Sequence, residues 1–209
     1  MMIFQENPVY FPFGKIICLI FCSQLIELQS KRGIPMYPSV FESQKPLKAR
    51  YKDHPEFAMV VDHAKTSGEI VSDPFHSKVE PMDGCGVSVP IGVHAALGGQ
   101  HDAPTPGDLL CAALAACQDS AIRMVANLMG LELIELEVRV MASVDVRGTM
   151  AIDSTVPVGF QAMSCDVRMK VKEGTPPKQV ERLQIAAQKC CVVQQTLKSP
   201  PLVKTTFME

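Results

Sequence analysis

A chain of 209 residues that is 47% hydrophobic is long enough for one globular domain, or for one domain and an extension, with a full apolar core. Its net charge of −2 and its lack of a basic cluster argue against binding to nucleic acid or to an acidic membrane surface. The eight cysteines are irregularly spaced in a chain too long for a small disulfide scaffold. Most of them are therefore predicted to be reduced core thiols of a cytoplasmic protein.

The first 36 residues differ from the rest of the chain. An apolar run at 16–22 is too short for a transmembrane helix, which needs about 20 apolar residues. It has the apolar character of a signal peptide, but no small-residue cleavage site follows it. We therefore predict that residues 1–36 are a non-essential or disordered extension, or that they precede a working start at Met36. The sequence leaves open whether the mature protein contains them.

Short strands are predicted next, at 57–64, 77–80 and 87–93, because apolar and β-branched residues alternate there between turn residues. Pro90 interrupts the third of these strands. A glycine-rich loop then leads into the first helix of the globular part.

This first helix has a full set of boundary signals. Thr105 is a candidate N-cap, Pro106 fits the first helical position, and Asp108 lies three residues after the cap. Gly130 is a natural end. The run 109–117 is apolar almost all round, so the helix is predicted to be central and buried. The face predicted to point inward carries a residue every four positions: Leu109, Ala113, Cys117 and Ala121.

Two strands follow, at 135–146 and 165–172, and both alternate cleanly between apolar and polar residues. Each has one solvated face, which favours an antiparallel sheet. Cys165 falls on the apolar face of the second strand and is therefore predicted to be a core thiol.

A second helix begins at 175–177, where a threonine precedes two prolines. It is predicted to bend or restart near Cys190 and Cys191 and to end before Ser199. Its inward face carries Val180, Leu183, Ala187 and Cys191. A short strand at 202–207 closes the chain. The order of elements predicts an α+β fold with helices packed on one face of antiparallel sheet.

Cys117 and Cys191 lie on different predicted helices, far apart in sequence. Two buried thiols without metal-ligand spacing are a candidate redox pair. Cys18 and Cys22 have a Cys-x3-Cys spacing, but no second half-site accompanies them. A thiol-ligated metal site with Cys117, Cys190, Cys191 and a histidine remains an alternative, against which the lack of close paired spacings argues.

The sequence around each of these thiols resembles the OsmC/Ohr family of osmotically inducible and organic hydroperoxide resistance proteins. Residues 104–117 are similar to the family's first-cysteine helix, and residues 191–197 to its second-cysteine segment. In that segment a leucine commonly lies six positions after the cysteine. Leu197 is six positions after Cys191, so Cys191 rather than Cys190 corresponds to the family's second cysteine. The resemblance covers residues 45–209, and its motifs at 46–51 and 94–99 are similar to a less characterised branch of the family.

The resemblance implies an intertwined homodimer, with antiparallel sheets wrapped around two central helices and sites at the subunit interface. In the family's peroxidases the first cysteine attacks an organic hydroperoxide, and the second resolves the sulfenic acid as a disulfide. The resemblance therefore implies catalytic roles for Cys117 and Cys191, with an external dithiol as reductant and with no cofactor or metal. It also implies an arginine and a glutamate that activate the first thiolate.

This chain departs from the family at both activating positions. Gly107 stands where the glutamate is expected, and the strand expected to carry the arginine has none. Asp108 is better explained as a helix cap than as a catalytic group. The other candidate replacements are Arg50, Lys65 and Lys78, although a lysine lacks the bidentate fork of an arginine.

Two functions therefore remain open. One is a cysteine peroxidase of oxidative stress defence, which the retained thiol pair favours. The other is a non-enzymatic dimeric thiol protein that binds a hydrophobic ligand or senses oxidants, which the missing activating groups favour. Cys190 is predicted to be a bystander. Four histidines are predicted to be solvated or structural: His63, His76, His94 and His101. His94 is kept apart as an exception, because it precedes the loop into the first-cysteine helix.

Overall fold

The computed structural model describes residues 39–68, 70–82 and 84–208. Contacts divide the chain into two compact units, residues 1–45 and 46–209. The predicted bounds of 1–36 and 45–209 stay a prediction, because the extension and its cysteines, Cys18 and Cys22, lie outside the described residues.

The described part opens with helix α1 (Val40–Asp53), which we did not predict. Its sequence has no apolar stripe, it contains Pro46, and none of its residues is buried. A 3-10 turn (Pro55–Ala58) follows and residues 59–63 are not strand, so the strand predicted at 57–64 is wrong except at Ala64, where β1 begins. The pattern was misleading because Pro55 starts a turn of helix, which leaves Met59 exposed.

Three short strands form an antiparallel sheet in the order β1 (Ala64–Ser67), β2 (Ser77–Pro81), β3 (Val89–Ile91). This confirms the predicted strand at 77–80 and the centre of the one at 87–93. Among the described strands β3 pairs only with β2, so it is an edge strand. An edge is where a strand tolerates a proline such as Pro90, which has no N–H to donate.

Helix α2 (Pro106–Leu128) begins with the predicted capping box. The N–H of Asp108 donates to Thr105 Oγ1 at 3.2 Å, and the N–H of Thr105 donates to Asp108 Oδ2 at 2.8 Å. At its other end Gly130 adopts a φ of 66°, a conformation that favours glycine. By length and composition α2 could also cross a membrane, which is true of many core helices as well.

The predicted inward face of α2 was only partly right. Ala121 is buried, but Leu109 and Cys117 are half-buried and Ala113 is exposed. Because α2 packs against the second sheet and the C-terminal helices, its inward face lies one position further along: Leu114, Gln118, Ala121, Ile122, Val125 and Ala126. The helix predicted to be central and buried is buried along this face, while Leu110 and Met124 on its other faces are exposed in the single chain.

Strands β4 (Leu133–Ser143) and β5 (Ala162–Val171) pair antiparallel, with Val140 opposite Cys165. The alternate apolar residues of β4 from Leu136 to Ala142 are half-buried and its charged residues are exposed, which confirms the predicted alternation, although Ile134 and Met141 are exposed. β4 ends before Val146, where we expected strand, because a one-turn helix α3 (Val146–Thr149) starts there. The side chain of Asp145 caps it by accepting the N–H of Arg147 at 3.0 Å.

Helices α4 (Pro177–Cys190) and α5 (Val192–Lys198) confirm the predicted break in the second helix. Leu183, Ala187 and Cys191 are fully buried, as the predicted face requires. The strand predicted at 202–207 is wrong: this segment has no strand partner among the described residues, and Phe207 is 94% exposed. A strand needs a neighbouring strand to receive its hydrogen bonds. The α+β class and the antiparallel sheets are as predicted.

Candidate functional site

The break between α4 and α5 lies next to Cys117, so Cys117 and Cys191, the predicted redox pair, are neighbours in the fold. Cys191 has an extended backbone (φ −74°, ψ 99°), so α4 ends at it and α5 restarts just after it. The backbone N–H of Val193 donates to Cys117 Sγ at 3.5 Å, across 76 positions of sequence. Cys117 on α2 therefore lies against the turn that carries Cys191.

Cys191 is fully buried within an apolar cluster. Burial is the main cause that raises the pKa of its thiol to about 11, although the backbone N–H of Gln194 acts in the opposite direction. Interaction with the thiol of Cys117, and the charge that Cys165 can carry, raise that pKa further. At neutral pH the sulfur of Cys191 is thus a protonated thiol.

Cys117 is the more accessible member of the pair. It is half-buried and packs against the same apolar cluster as Cys191. Its sulfur accepts a hydrogen bond from the N–H of Val193. The two thiols therefore differ as an attacking and a resolving cysteine would, one partly open to solvent and the other enclosed.

The remaining cysteines divide by exposure. Cys85 and Cys190 are exposed, while Cys111 and Cys165 are half-buried. Burial raises the pKa of the Cys111 thiol, and that of Cys165 for the same reason. Within the described ranges, no group of three or more His, Cys, Asp or Glu residues is placed to hold a metal ion.

The residues proposed to replace the family's activating groups have other contacts. Asp108 caps α2, and its hydrogen bonds with Thr105 lower the pKa of its carboxyl. The guanidinium of Arg50 lies 3.8 Å from the ring centre of Phe57. Lys65 Nζ is 3.3 Å from Glu80 Oε2.

Lys78, the remaining candidate replacement, is exposed on β2. His94 accepts the N–H of Ala96 at 3.0 Å and so caps a 3-10 turn, which is a structural role. Its ring also lies 4.3 Å from that of His101, centre to centre.

The position that would carry the family's glutamate is covered by an aromatic ring. A Cβ atom at Gly107 would lie 3.0 Å from Phe160 Cζ. A side chain at 107 therefore requires the ring to move. No sequence pattern predicts this contact, because Phe160 lies in the irregular loop before β5.

We predict that Gly107→Glu lowers the free energy of unfolding by about 1–3 kcal/mol, because the new side chain overlaps the Phe160 ring. In a Phe160→Ala background the same change should cost clearly less. Urea unfolding of wild type, the two single variants and the double variant measures the coupling free energy between positions 107 and 160. Gly159→Glu is the matched control, since a Cβ there meets no atom within 4 Å. Additive effects of the two changes would show that the ring does not exclude a side chain at 107.

Two glutamine oxygens near the thiols were missed by sequence reasoning. Gln118 and Gln194 each have a buried Oε1 without a hydrogen-bond partner in the described part of the chain. Gln118 is only 4% exposed and follows Cys117 on α2. It helps to line a cavity of about 260 Å³, whose other lining residues are Ile122, Cys165, Val167, Met169, Leu183, Gln184 and Gln188.

The family model for OsmC-like protein matches residues 99–206, which is half of the chain and includes both thiols. This chain belongs to the OsmC-like family. The match begins well after residue 45, so the N-terminal part of the earlier resemblance stands on its motifs alone. No curated protein matches the chain.

Solved structures of OsmC-like proteins share the fold. An OsmC-like protein from Mycoplasma pneumoniae superposes with a TM-score of 0.54 at 11% identity, covering 68% of this chain and 89% of that one. An OsmC-like protein of unknown function from Vibrio cholerae also gives 0.54, at 12% identity, covering 66% and 94%. An organic hydroperoxide resistance protein OsmC from Legionella pneumophila gives 0.50 at 23% identity, covering 68% and 91%. At these identities the likeness establishes the fold.

Proposed function

We propose that this OsmC-like protein reduces organic hydroperoxides with thiols, as part of oxidative stress defence. Cys117 is the attacking cysteine, Cys191 is the resolving cysteine, and an external dithiol supplies the electrons. The observation that carries the proposal is the hydrogen bond from the N–H of Val193 to Cys117 Sγ, because it places Cys117 beside the turn of Cys191.

The reaction balances with these groups and the two substrates. The thiolate of Cys117 attacks an oxygen of the hydroperoxide, so an S–O bond forms, the O–O bond breaks and an alcohol leaves after taking a proton. The sulfenic acid on Cys117 is then attacked by the sulfur of Cys191, which forms a disulfide and releases water. Two electrons from the dithiol restore both thiols.

The assignment of the roles follows from burial and protonation. Cys117 is half-buried and can meet a hydroperoxide, whereas Cys191 is fully enclosed. The raised pKa of Cys191 leaves little thiolate at neutral pH, so it is a poor first nucleophile. As a resolving thiol it meets the adjacent sulfur of Cys117 within the same molecule, and this proximity offsets its small thiolate fraction.

A homodimer and a cytoplasmic location belong to the same proposal. Members of the OsmC-like family are commonly dimeric. Apolar side chains of α2 are exposed in the single chain, among them Leu110, Met124 and Leu128, and a second copy would cover such a face. The eight cysteines are irregularly spaced and do not form a disulfide framework, which favours a reducing compartment.

Steady-state consumption of alkyl hydroperoxides with excess dithiol tests the roles of the adjacent cysteines. Cys191→Ser is expected to allow one oxidation of Cys117 and then to stall, because no enclosed thiol protects the sulfenic acid from overoxidation. Cys190→Ser is the matched control. Its side chain is exposed, and turnover should remain within about twofold of wild type. The reverse pattern would assign resolution to Cys190.

Resolution should accelerate with pH. The pKa of Cys191 is raised to about 11, so its thiolate fraction grows about tenfold per pH unit below that value. The rate of disulfide formation after a hydroperoxide pulse, followed by acid quench from pH 7 to pH 9, should grow in proportion. A rate that is flat over this range would contradict resolution by a buried Cys191 thiolate.

The alternative function, a thiol protein that binds a hydrophobic ligand or senses oxidants, is favoured by the Phe160 ring over Gly107. The ring stands where the family's peroxidases have an activating carboxylate. A sensor would be oxidised once by hydroperoxide but would not turn over with a dithiol. Consumption of many hydroperoxide molecules per protein molecule would therefore support the peroxidase over the sensor.

A further inference from the structure

A third thiol lies beside the proposed redox pair and has no part in the mechanism so far. Cys165 is on β5, opposite Val140, and its side chain is half-buried on the inward face of the sheet. It packs against the apolar cluster that contains Cys191. Cys165 is also close enough to Cys191 for its charge to influence the pKa of that thiol.

Cys165 and Cys191 differ in their access to small molecules. Cys191 has no exposed surface, so its sulfur is closed to small molecules. Cys165, by contrast, lines the cavity of about 260 Å³ between α2, β5 and α4. A reductant that enters this cavity can therefore meet Cys165, while Cys191 remains enclosed.

We propose that Cys165 relays oxidation from the Cys117–Cys191 disulfide to the cavity, where the dithiol reductant attacks it. This inference rests on the proposed peroxidase function. The thiolate of Cys165 attacks Cys191 Sγ in the Cys117–Cys191 disulfide, an S–S bond forms between 165 and 191, and Cys117 leaves as a thiolate. No net oxidation occurs in this exchange. The dithiol then attacks the sulfur of Cys165 through a mixed disulfide and becomes a disulfide itself, which returns Cys165 and Cys191 to thiols.

Two features of the cavity suit this step. Gln118 lines the cavity and its buried Oε1 has no hydrogen-bond partner in the described part of the chain, so a rotation of this side chain would present an acceptor to an S–H of the incoming dithiol. Burial, and to a lesser degree Asp166, raise the pKa of the Cys165 thiol. The exchange is therefore expected to run faster at pH 9 than at pH 7, because it needs the thiolate.

The first test maps disulfides in the full chain with a Cys190→Ser background, since Cys190 and Cys191 fall on one tryptic peptide. One equivalent of tert-butyl hydroperoxide is added, the mixture is quenched with acid, and free thiols are alkylated before digestion. A Cys117–Cys191 disulfide is expected first and a Cys165–Cys191 disulfide later, with more of the second at pH 9. The absence of any disulfide to Cys165 at both pH values would overturn the relay.

The second test compares turnover in the same background. Cys165→Ser and Cys165→Ala should each lower steady-state turnover with excess dithiol by about tenfold, while the burst of the first oxidation keeps its rate. Cys111→Ser is the matched control, another half-buried thiol, and should change neither phase. Unchanged turnover in both Cys165 variants would overturn the relay and leave the proposed function intact. The proposed peroxidase function itself would be overturned only if wild type and Cys117→Ser showed the same negligible hydroperoxide turnover.

Discussion

Replacing Cys117 by serine is expected to lower hydroperoxide turnover by about a thousandfold or more, to the rate without protein. A serine oxygen cannot accept the hydroperoxide oxygen, so no sulfenic acid forms and Cys191 has nothing to resolve. Consumption of several alkyl hydroperoxides with excess dithiol measures the effect. Cys111→Ser removes another half-buried thiol from the same helix and should keep wild-type turnover.

Retention of turnover by Cys117→Ser would assign the first attack to another thiol. The exposed Cys85 and Cys190 would be the next to replace. Equal and negligible consumption by wild type and Cys117→Ser would instead favour the ligand-binding or oxidant-sensing alternative.

Leu183→Ala is expected to lower the free energy of unfolding by about 3–4 kcal/mol, a large share of the stability of a domain this size. Leu183 on α4 has no exposed surface and packs with Val125 and Ala126 of α2. Its truncation removes apolar contacts and leaves a space that the two helices cannot easily close. Urea unfolding followed by circular dichroism measures the loss.

Leu202→Ala makes the same chemical change at a residue that is 98% exposed. It should alter the free energy of unfolding by less than about 0.5 kcal/mol. A loss of similar size in both variants would mean that residues 202–207 are covered in solution, as they would be on pairing with a second chain.

Those parts of the site that depend on local chemistry could be predicted from the sequence. The capping box of Thr105 and Asp108 follows from hydrogen bonds over three residues. The break at Cys191 and the buried face of α4 follow from helical spacing between strong end signals. The alternation of β4 and β5 follows from a sheet with one solvated face.

The parts that depend on packing could not be predicted in this way. The inward face of α2 is set by what it packs against, and many of its small apolar residues fit on either side. The contact of Phe160 with Gly107 and the position of Cys165 near Cys191 join segments that are distant in sequence. The strand expected at 202–207 is not formed, because an alternating pattern indicates only a preference for extended backbone. A strand also needs a partner strand, which the pattern does not supply.

The central claim is that Cys117 and Cys191 form one redox pair, and thiol counting against hydroperoxide reduction tests it most directly. Fully reduced protein is mixed with a limiting amount of alkyl hydroperoxide, without dithiol, and free thiols and alcohol are measured together. The account predicts two thiols lost for each alcohol formed, no added oxygen in the intact mass, and no loss in Cys117→Ser. Thiol loss that persists in Cys117→Ser, or alcohol formed without thiol loss, would contradict it.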